Sequence, residues 1–285
     1  YKSNPEVLLG SIGSVYDAPH KESGIIMSIA YTIAGFSVGA IVGLTGVGGG
    51  SLMTPLLVLL FGINPSVAVG TDLLYAAITK AGGTLAHGLK GTVDWAVTRR
   101  LALGSIPAST VTLLLVGHFA PGGIGGATGL IKFSLGIALL LTAVAIVFRR
   151  QIQNFALAHS SGHEDPRRIA LLTTLTGAVL GVLVSISSVG AGALGVSALF
   201  FLYPRLPTLR IIGSDIAHAV PLTLVAGIGH WFLGSVDWAL LGSLLIGSLP
   251  GIWLGSHIST RVPDRVLRPI LATMLVLVGS KLIVA

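Results

Sequence analysis

The 285-residue chain contains no cysteine, which excludes disulfide frameworks, thiol nucleophiles, Cys-ligated zinc and iron–sulfur clusters. Charge is nearly as scarce: 9% of residues are Asp, Glu, Lys or Arg, against 53% hydrophobic. So few polar groups cannot cover a soluble domain of this size, and lipid must be the solvent for much of the chain. No formal charge occurs between Glu22 and Asp72, between Arg100 and Lys132, or between Arg168 and Arg205. Each of these runs exceeds the ~20 residues that cross a bilayer.

Other absences narrow the function. There is no H-E-x-x-H pair and the eight histidines lack metal-ligand spacing, so neither a metal site nor a cofactor is expected. The net charge of +7 would suggest nucleic acid in a soluble domain. Here the basic residues sit between hydrophobic runs, where orientation in the membrane accounts for them, and no nucleic-acid partner is expected. Gly190, Gly192 and Gly195 formally satisfy G-x-G-x-x-G. A dinucleotide site needs a preceding strand and a βαβ unit, and apolar runs flank this motif on both sides.

What is present is a series of apolar segments, near 24 to 45, 51 to 61, 65 to 89, 95 to 117, 127 to 148, 169 to 188, 193 to 203, 209 to 233, 238 to 259 and 263 to 284. Gly, Pro and Arg bound them. Residues 1–23 are polar and read as a surface tail. The chain also matches itself at an offset of 142 to 143: Val47-Gly48-Gly49-Gly50 with Val189-Gly190-Ala191-Gly192, Gly70 and Asp72 with Gly213 and Asp215, and His87 with His230. Further on, Val93-Asp94-Trp95 matches Val236-Asp237-Trp238, and Gly104-Ser105-Ile106-Pro107 matches Gly247-Ser248-Leu249-Pro250.

The sequence therefore predicts an all-α integral membrane protein of two five-segment repeats, 24–148 and 169–285, joined by a polar linker at 149–168. An odd number of crossings inverts the second repeat. Ten crossings place Lys90, Arg99, Arg100, Arg149, Arg150, Arg167, Arg168, Arg205, Arg210, Arg261, Arg265 and Arg268 on one side, and the connections after segments 2, 4, 6 and 8 hold no basic residue. That side is expected to be cytoplasmic, with both termini outside. Segments 2 and 7, with about 11 helical residues, reach only ~16 Å of a ~30 Å core. The neighbouring glycines must supply the rest as extended chain, so each repeat should hold a broken helix. Irregular backbone at membrane depth survives only inside protein or beside a wet cavity, and two breaks at matching positions of inverted repeats mark a binding site.

At 43–57, reading GLTGVGGGSLMTPLL, and at Asn64-Pro65 and Gly70-Thr71-Asp72, the chain resembles the TauE/SafE family of sulfite and organosulfonate exporters. The likeness runs over roughly 24 to 284. The second repeat departs from the motif, with Ala191 in its glycine run and Ser197 at the counterpart of Pro55. The resemblance implies a bacterial inner-membrane exporter of sulfite, sulfoacetate or similar anions.

Candidate site residues follow from the breaks. Consecutive glycines weaken a helix and release backbone amides, which suit an anion at a half-helix N-terminus. Thr45, Gly48, Gly49, Gly50 and Ser51 in the first repeat, and Ser188, Gly190 and Gly192 in the second, are therefore expected to bind substrate. Lys80 stands mid-segment with Thr223 at its counterpart position, and is expected to attract the anion. Asp72, Asp215 and His218 are candidates for ion or proton coupling, with capping as the competing role of the aspartates. Asp94 and Asp237 read as N-caps beside interfacial tryptophans. A secondary transporter is the reading that these features favour, with a passive anion channel and a membrane-embedded enzyme as alternatives.

Overall fold

A computed structural model describes residues 26–43, 50–119, 128–159, 165–258 and 264–284. Among these residues there are ten helices and no strand. They are α1 (Ile26–Gly43), α2 (Gly50–Leu59), α3 (Pro65–Leu89), α4 (Trp95–Phe119), α5 (Thr128–His159), α6 (Pro166–Ser187), α7 (Ala193–Leu202), α8 (Thr208–Phe232), α9 (Trp238–Ile258) and α10 (Asp264–Val284). Each overlaps one apolar segment read from the sequence. The polar tail, together with Thr45, Gly48 and Gly49, lies outside the described residues.

Six helices, α1, α4, α5, α6, α8 and α9, are long and apolar enough to cross a membrane. Their outward faces carry exposed Leu103, Leu114, Phe133, Val147, Val179 and Ile246, a distribution that water would penalise and lipid favours. The chain is a multi-pass membrane protein. Helix α3 has the length, 25 residues, but Asp72, Lys80 and its threonines dilute its apolar character. Helices α2 and α7 have ten residues each, about 15 Å, and are too short to cross as helices.

One boundary differs from expectation. The fifth segment was expected to end near 148, where Arg149 and Arg150 begin a linker, but α5 continues to His159. Arginine halts burial in lipid without halting a helix. Here the Arg149 guanidinium lies 4.6 Å from the centre of the Phe200 ring, and Ala156 is buried about two turns further on. Helix α6 begins where Asp165 accepts from the Arg167 amide at 2.9 Å and Pro166 occupies the first turn.

The helices pack through glycines that bring backbones into contact, a device suited to lipid, where small residues let helices approach. On α4 and α6, a methyl at Gly104 would meet the Thr174 carbonyl, one at Gly177 the Leu101 carbonyl and one at Gly181 the Ser105 carbonyl. On α9 and α1, Gly247 meets Thr32, Gly35 meets Leu244 and Gly39 meets Ser248 in the same way. The two sets differ by 142 or 143 positions throughout. Likewise Gly70 abuts the Ser235 carbonyl and Gly213 the Thr92 carbonyl. Ser214 Oγ accepts from the Asp94 amide at 2.8 Å, and Thr71 Oγ1 accepts from the Asp237 amide at 3.1 Å. Asp94 and Asp237 themselves cap α4 and α9, as expected: Asp94 accepts from the Ala96 and Val97 amides, Asp237 from the Leu240 amide.

Candidate functional site

Helix α6 stops at Ser187 and α7 starts at Ala193, and every residue from Ser187 to Gly192 is buried. Ser188 adopts a left-handed conformation with φ 58°, and Gly190 and Gly192 have φ 124° and 137°. Those last two angles are open to glycine and strained for side chains, which is why the motif keeps glycine there and tolerates Ala191 between them. The break lies alongside α3. Asp72 and Lys80 are the eighth and sixteenth of that helix's 25 residues, so they bracket its middle.

Both reach the break. Lys80 Nζ donates to the Ala191 carbonyl at 2.8 Å, satisfying an acceptor that the interruption leaves outside any helical ladder. Ser188 Oγ donates to Asp72 Oδ2 at 2.9 Å, and Thr54 Oγ1 of α2 makes a short bond to the same oxygen. From α8, His230 Nε2 donates to the Ser185 carbonyl at 2.8 Å, tying down the last turn of α6. Elements distant in sequence thus hold one irregular segment in place. Asp72 lies well inside α3 and is completely buried, so it is no cap of that helix. Its Oδ1 has no hydrogen-bond partner.

Asp215 is the eighth residue of α8 and also buried. It receives no hydrogen bond at Oδ1, which lies against Gly195 in the first turn of α7, where a methyl would collide with it. His218, one turn on, is fully buried and shares a 2.8 Å hydrogen bond with Ser105 of α4 through Nε2, while its Nδ1 is unpartnered. His218 therefore bonds to α4 and not to Asp215. Ser185 Oγ donates to the Gly181 carbonyl and shares a hydrogen bond with the Ser109 hydroxyl, and Ser187 Oγ donates to the Leu183 carbonyl.

Of the expected substrate-binding residues, Ser188, Gly190, Gly192 and Lys80 meet at this break. The hydroxyl of Ser188 is already committed to Asp72. Gly50 and Ser51 open α2. Sequence reading missed Thr54, although it lies inside the quoted motif, and the Ala191 carbonyl, which no side-chain pattern reveals. It also missed Ser105, whose signal was its place in the Gly-Ser-x-Pro repeat. A separate apolar cavity of about 460 Å³ opens between α4 and α8, lined by Thr110, Leu113, Gly117, His118, Phe232 and Leu233. None of the expected site residues lines it. Among the described residues, no group of three His, Asp or Glu side chains could hold a metal ion.

A bundle of apolar helices enclosing a broken helix, with a buried lysine and carboxylates around the break, defines the class of multi-pass membrane transporters. The family profile described as sulfite exporter TauE/SafE matches residues 31–282. The chain is 40% identical to the probable membrane transporter protein YjnA of Bacillus subtilis, over 90% of this chain and 100% of that protein. It is 29% identical to a probable membrane transporter protein of Xylella fastidiosa, over 83% of this chain and 87% of that one. The protein belongs to the TauE/SafE family of membrane transporters. No solved structure matches it.

Proposed function

We propose that this protein is a secondary transporter that exports small sulfur-containing or organic anions, such as sulfite or a sulfonate, across the bacterial inner membrane. The observation that carries the reading is the buried ammonium of Lys80 at the interrupted backbone of 188–192. A mid-span cation is costly in lipid and is kept where it serves a pathway. Amides released at the start of a half-helix add partial positive charge beside it. The profile's description, sulfite exporter, supports the substrate class.

The paired glycine contacts support two inverted repeats with about ten crossings. Each of the contacts named above has its counterpart 142 or 143 positions away, with partners exchanged between repeats, as a two-fold axis in the membrane plane requires. The course of α7 agrees. Tyr203, just after it, shares a hydrogen bond with Thr173 of α6 and accepts from Arg100 of α4. Thr173 is fourteen residues before Ser187, so the chain from the break to Tyr203 travels back about 21 Å along α6. On this reading the linker at 149–168 is cytoplasmic and both termini are outside.

The test replaces Lys80. Lys80→Gln is expected to weaken stabilisation of the purified protein by sulfite, sulfoacetate or methanesulfonate at least tenfold in apparent Kd, with Lys80→Arg intermediate. Wild-type affinity in Lys80→Gln would refute the assignment. Vesicle flux that never rises above the anion's electrochemical gradient would select a passive channel instead.

A further inference from the structure

The charges at the break do not balance for an anion. Among the described residues Lys80 is the one cation there, yet both Asp72 and Asp215 face the same region, so the cluster already holds two carboxylates against one ammonium. Bringing a further negative charge into so buried a place is prohibitive unless a proton enters with it. The two carboxylates are not equivalent recipients. Asp72 Oδ2 accepts from two hydroxyls, Thr54 and Ser188, whereas Asp215 Oδ1 accepts from none.

The place of Asp215 is equally specific. Its Oδ1 rests on Gly195, the third residue of α7. Backbone bonding into α7 begins with the Gly195 amide on the Gly190 carbonyl and the Val196 amide on the Gly192 carbonyl. The Ala193 and Leu194 amides thus stand outside the ladder, and Gly192 as N-cap supplies no side chain to meet them. A buried carboxylate set against an uncapped helix N-terminus, with an ammonium at the adjoining carbonyl, occupies the position that an oxyanion substrate would need.

We infer that Asp215 is a built-in competitor for the anion site, and that an oxyanion binds at Lys80 and the start of α7 only when Asp215 has taken up a proton. This rests on the reading of the protein as an anion transporter and specifies its coupling. The proton comes from solution and stays on the Asp215 carboxyl while the anion is bound. A monovalent anion then moves with its proton without net charge, and net export follows where the outward anion gradient exceeds the inward proton gradient. The other titratable groups are accounted for. Helix α3 presents Lys80, Asp72 and Tyr75, and its His87, against Gly213, is bonded to Thr92; α8 itself carries His218 and His230, with Arg210 in its first turn; α7 has no ionisable side chain; and those of α4 (Arg99, Arg100, His118) and α6 (Arg167, Arg168) lie near helix ends. His218 is the rival proton acceptor, and its hydrogen bond goes to Ser105.

Methanesulfonate and sulfoacetate are suitable probes because the sulfonate carries no proton of its own in the range used. Thermal-stabilisation titrations of the purified full chain, at about pH 6 and about pH 8, should show wild-type affinity weakening by up to about tenfold per pH unit. Asp215→Asn should abolish that dependence and bind at alkaline pH as the wild type does at acid pH, while His218→Gln should retain it. Should Asp215→Asn not fold, uptake of one proton per methanesulfonate by the weakly buffered wild type decides the matter. Binding that is independent of pH, or pH dependence that persists in Asp215→Asn, overturns the inference and leaves the transporter reading intact. If neither probe stabilises any form at either pH, the sulfonate-transporter reading falls and takes the inference with it.

Discussion

Asp72 and Asp215 stand 143 positions apart, each the eighth residue of a 25-residue helix, yet one is bound by two hydroxyls and the other by none. One turn on, the pairing is kept while its chemistry changes. Tyr75 and His218 are counterparts, as are Ser248 and Ser105. His218 and Ser105 share a hydrogen bond, and the buried Tyr75 hydroxyl faces Ser248 in the counterpart place, outside full hydrogen-bond geometry. Beneath these differences the contacts of Gly104, Gly177, Gly181 and Gly213 match those of Gly247, Gly35, Gly39 and Gly70. Backbone packing tolerates little change because a single methyl collides with a carbonyl, so repeats diverge least there. Polar side chains reaching across the interior can change partners without moving a helix, and that is where the two repeats have separated.

The comparison predicts its largest effect at the shared contacts. Gly104→Leu and Gly247→Leu should each cost about 3 kcal/mol or more, because the added side chain meets the Thr174 or Thr32 carbonyl and neither backbone can yield. Folded yield in detergent should fall equally for both. A severe loss at one and tolerance at the other would break the equivalence of the repeats.

A middle-sized effect should separate the aspartates. Asp72→Ala strands the Thr54 and Ser188 hydroxyls and should cost about 2–3 kcal/mol. Asp215→Ala removes a carboxylate whose Oδ1 has no donor and should stay within about 1 kcal/mol of the wild type or gain stability. Thermal or denaturant unfolding of the two variants side by side measures the difference, and equal losses would mean that their environments are alike after all.

The smallest effect should distinguish the serines. Ser105→Ala leaves His218 without its Nε2 partner and should cost about 1 kcal/mol, while Ser248→Ala removes a hydroxyl that faces Tyr75 outside full hydrogen-bond geometry and should cost less. An equal cost would indicate that Ser248 and Tyr75 bond as fully as Ser105 and His218 do.

Much of this molecule was legible from the chain. Lipid as the solvent, the ten helical segments, the repeat offset and the interruption near Val189 to Gly192 depend on runs of side-chain polarity and on glycine's backbone freedom, which are local properties. Asp94 and Asp237 were readable as caps for the same reason, since an N-cap bonds within three residues. The end of α5 was misread because charge signals where lipid ends, and a helix can continue beyond that point.

Other features were settled only by the folded arrangement. The sequence placed Lys80 in mid-helix, but that its ammonium meets the Ala191 carbonyl follows from how α3 lies against the break, 111 residues away. It paired Asp72 with Asp215 by position and could not say that Thr54 and Ser188 converge on the first while the second rests on Gly195. Hydropathy and glycine spacing act along the chain and are inherited by both repeats. The partner of a buried polar group is whatever the packed helices bring within 3 Å of it, and in a close-packed interior one substituted side chain changes that partner without changing the pattern that the sequence displays.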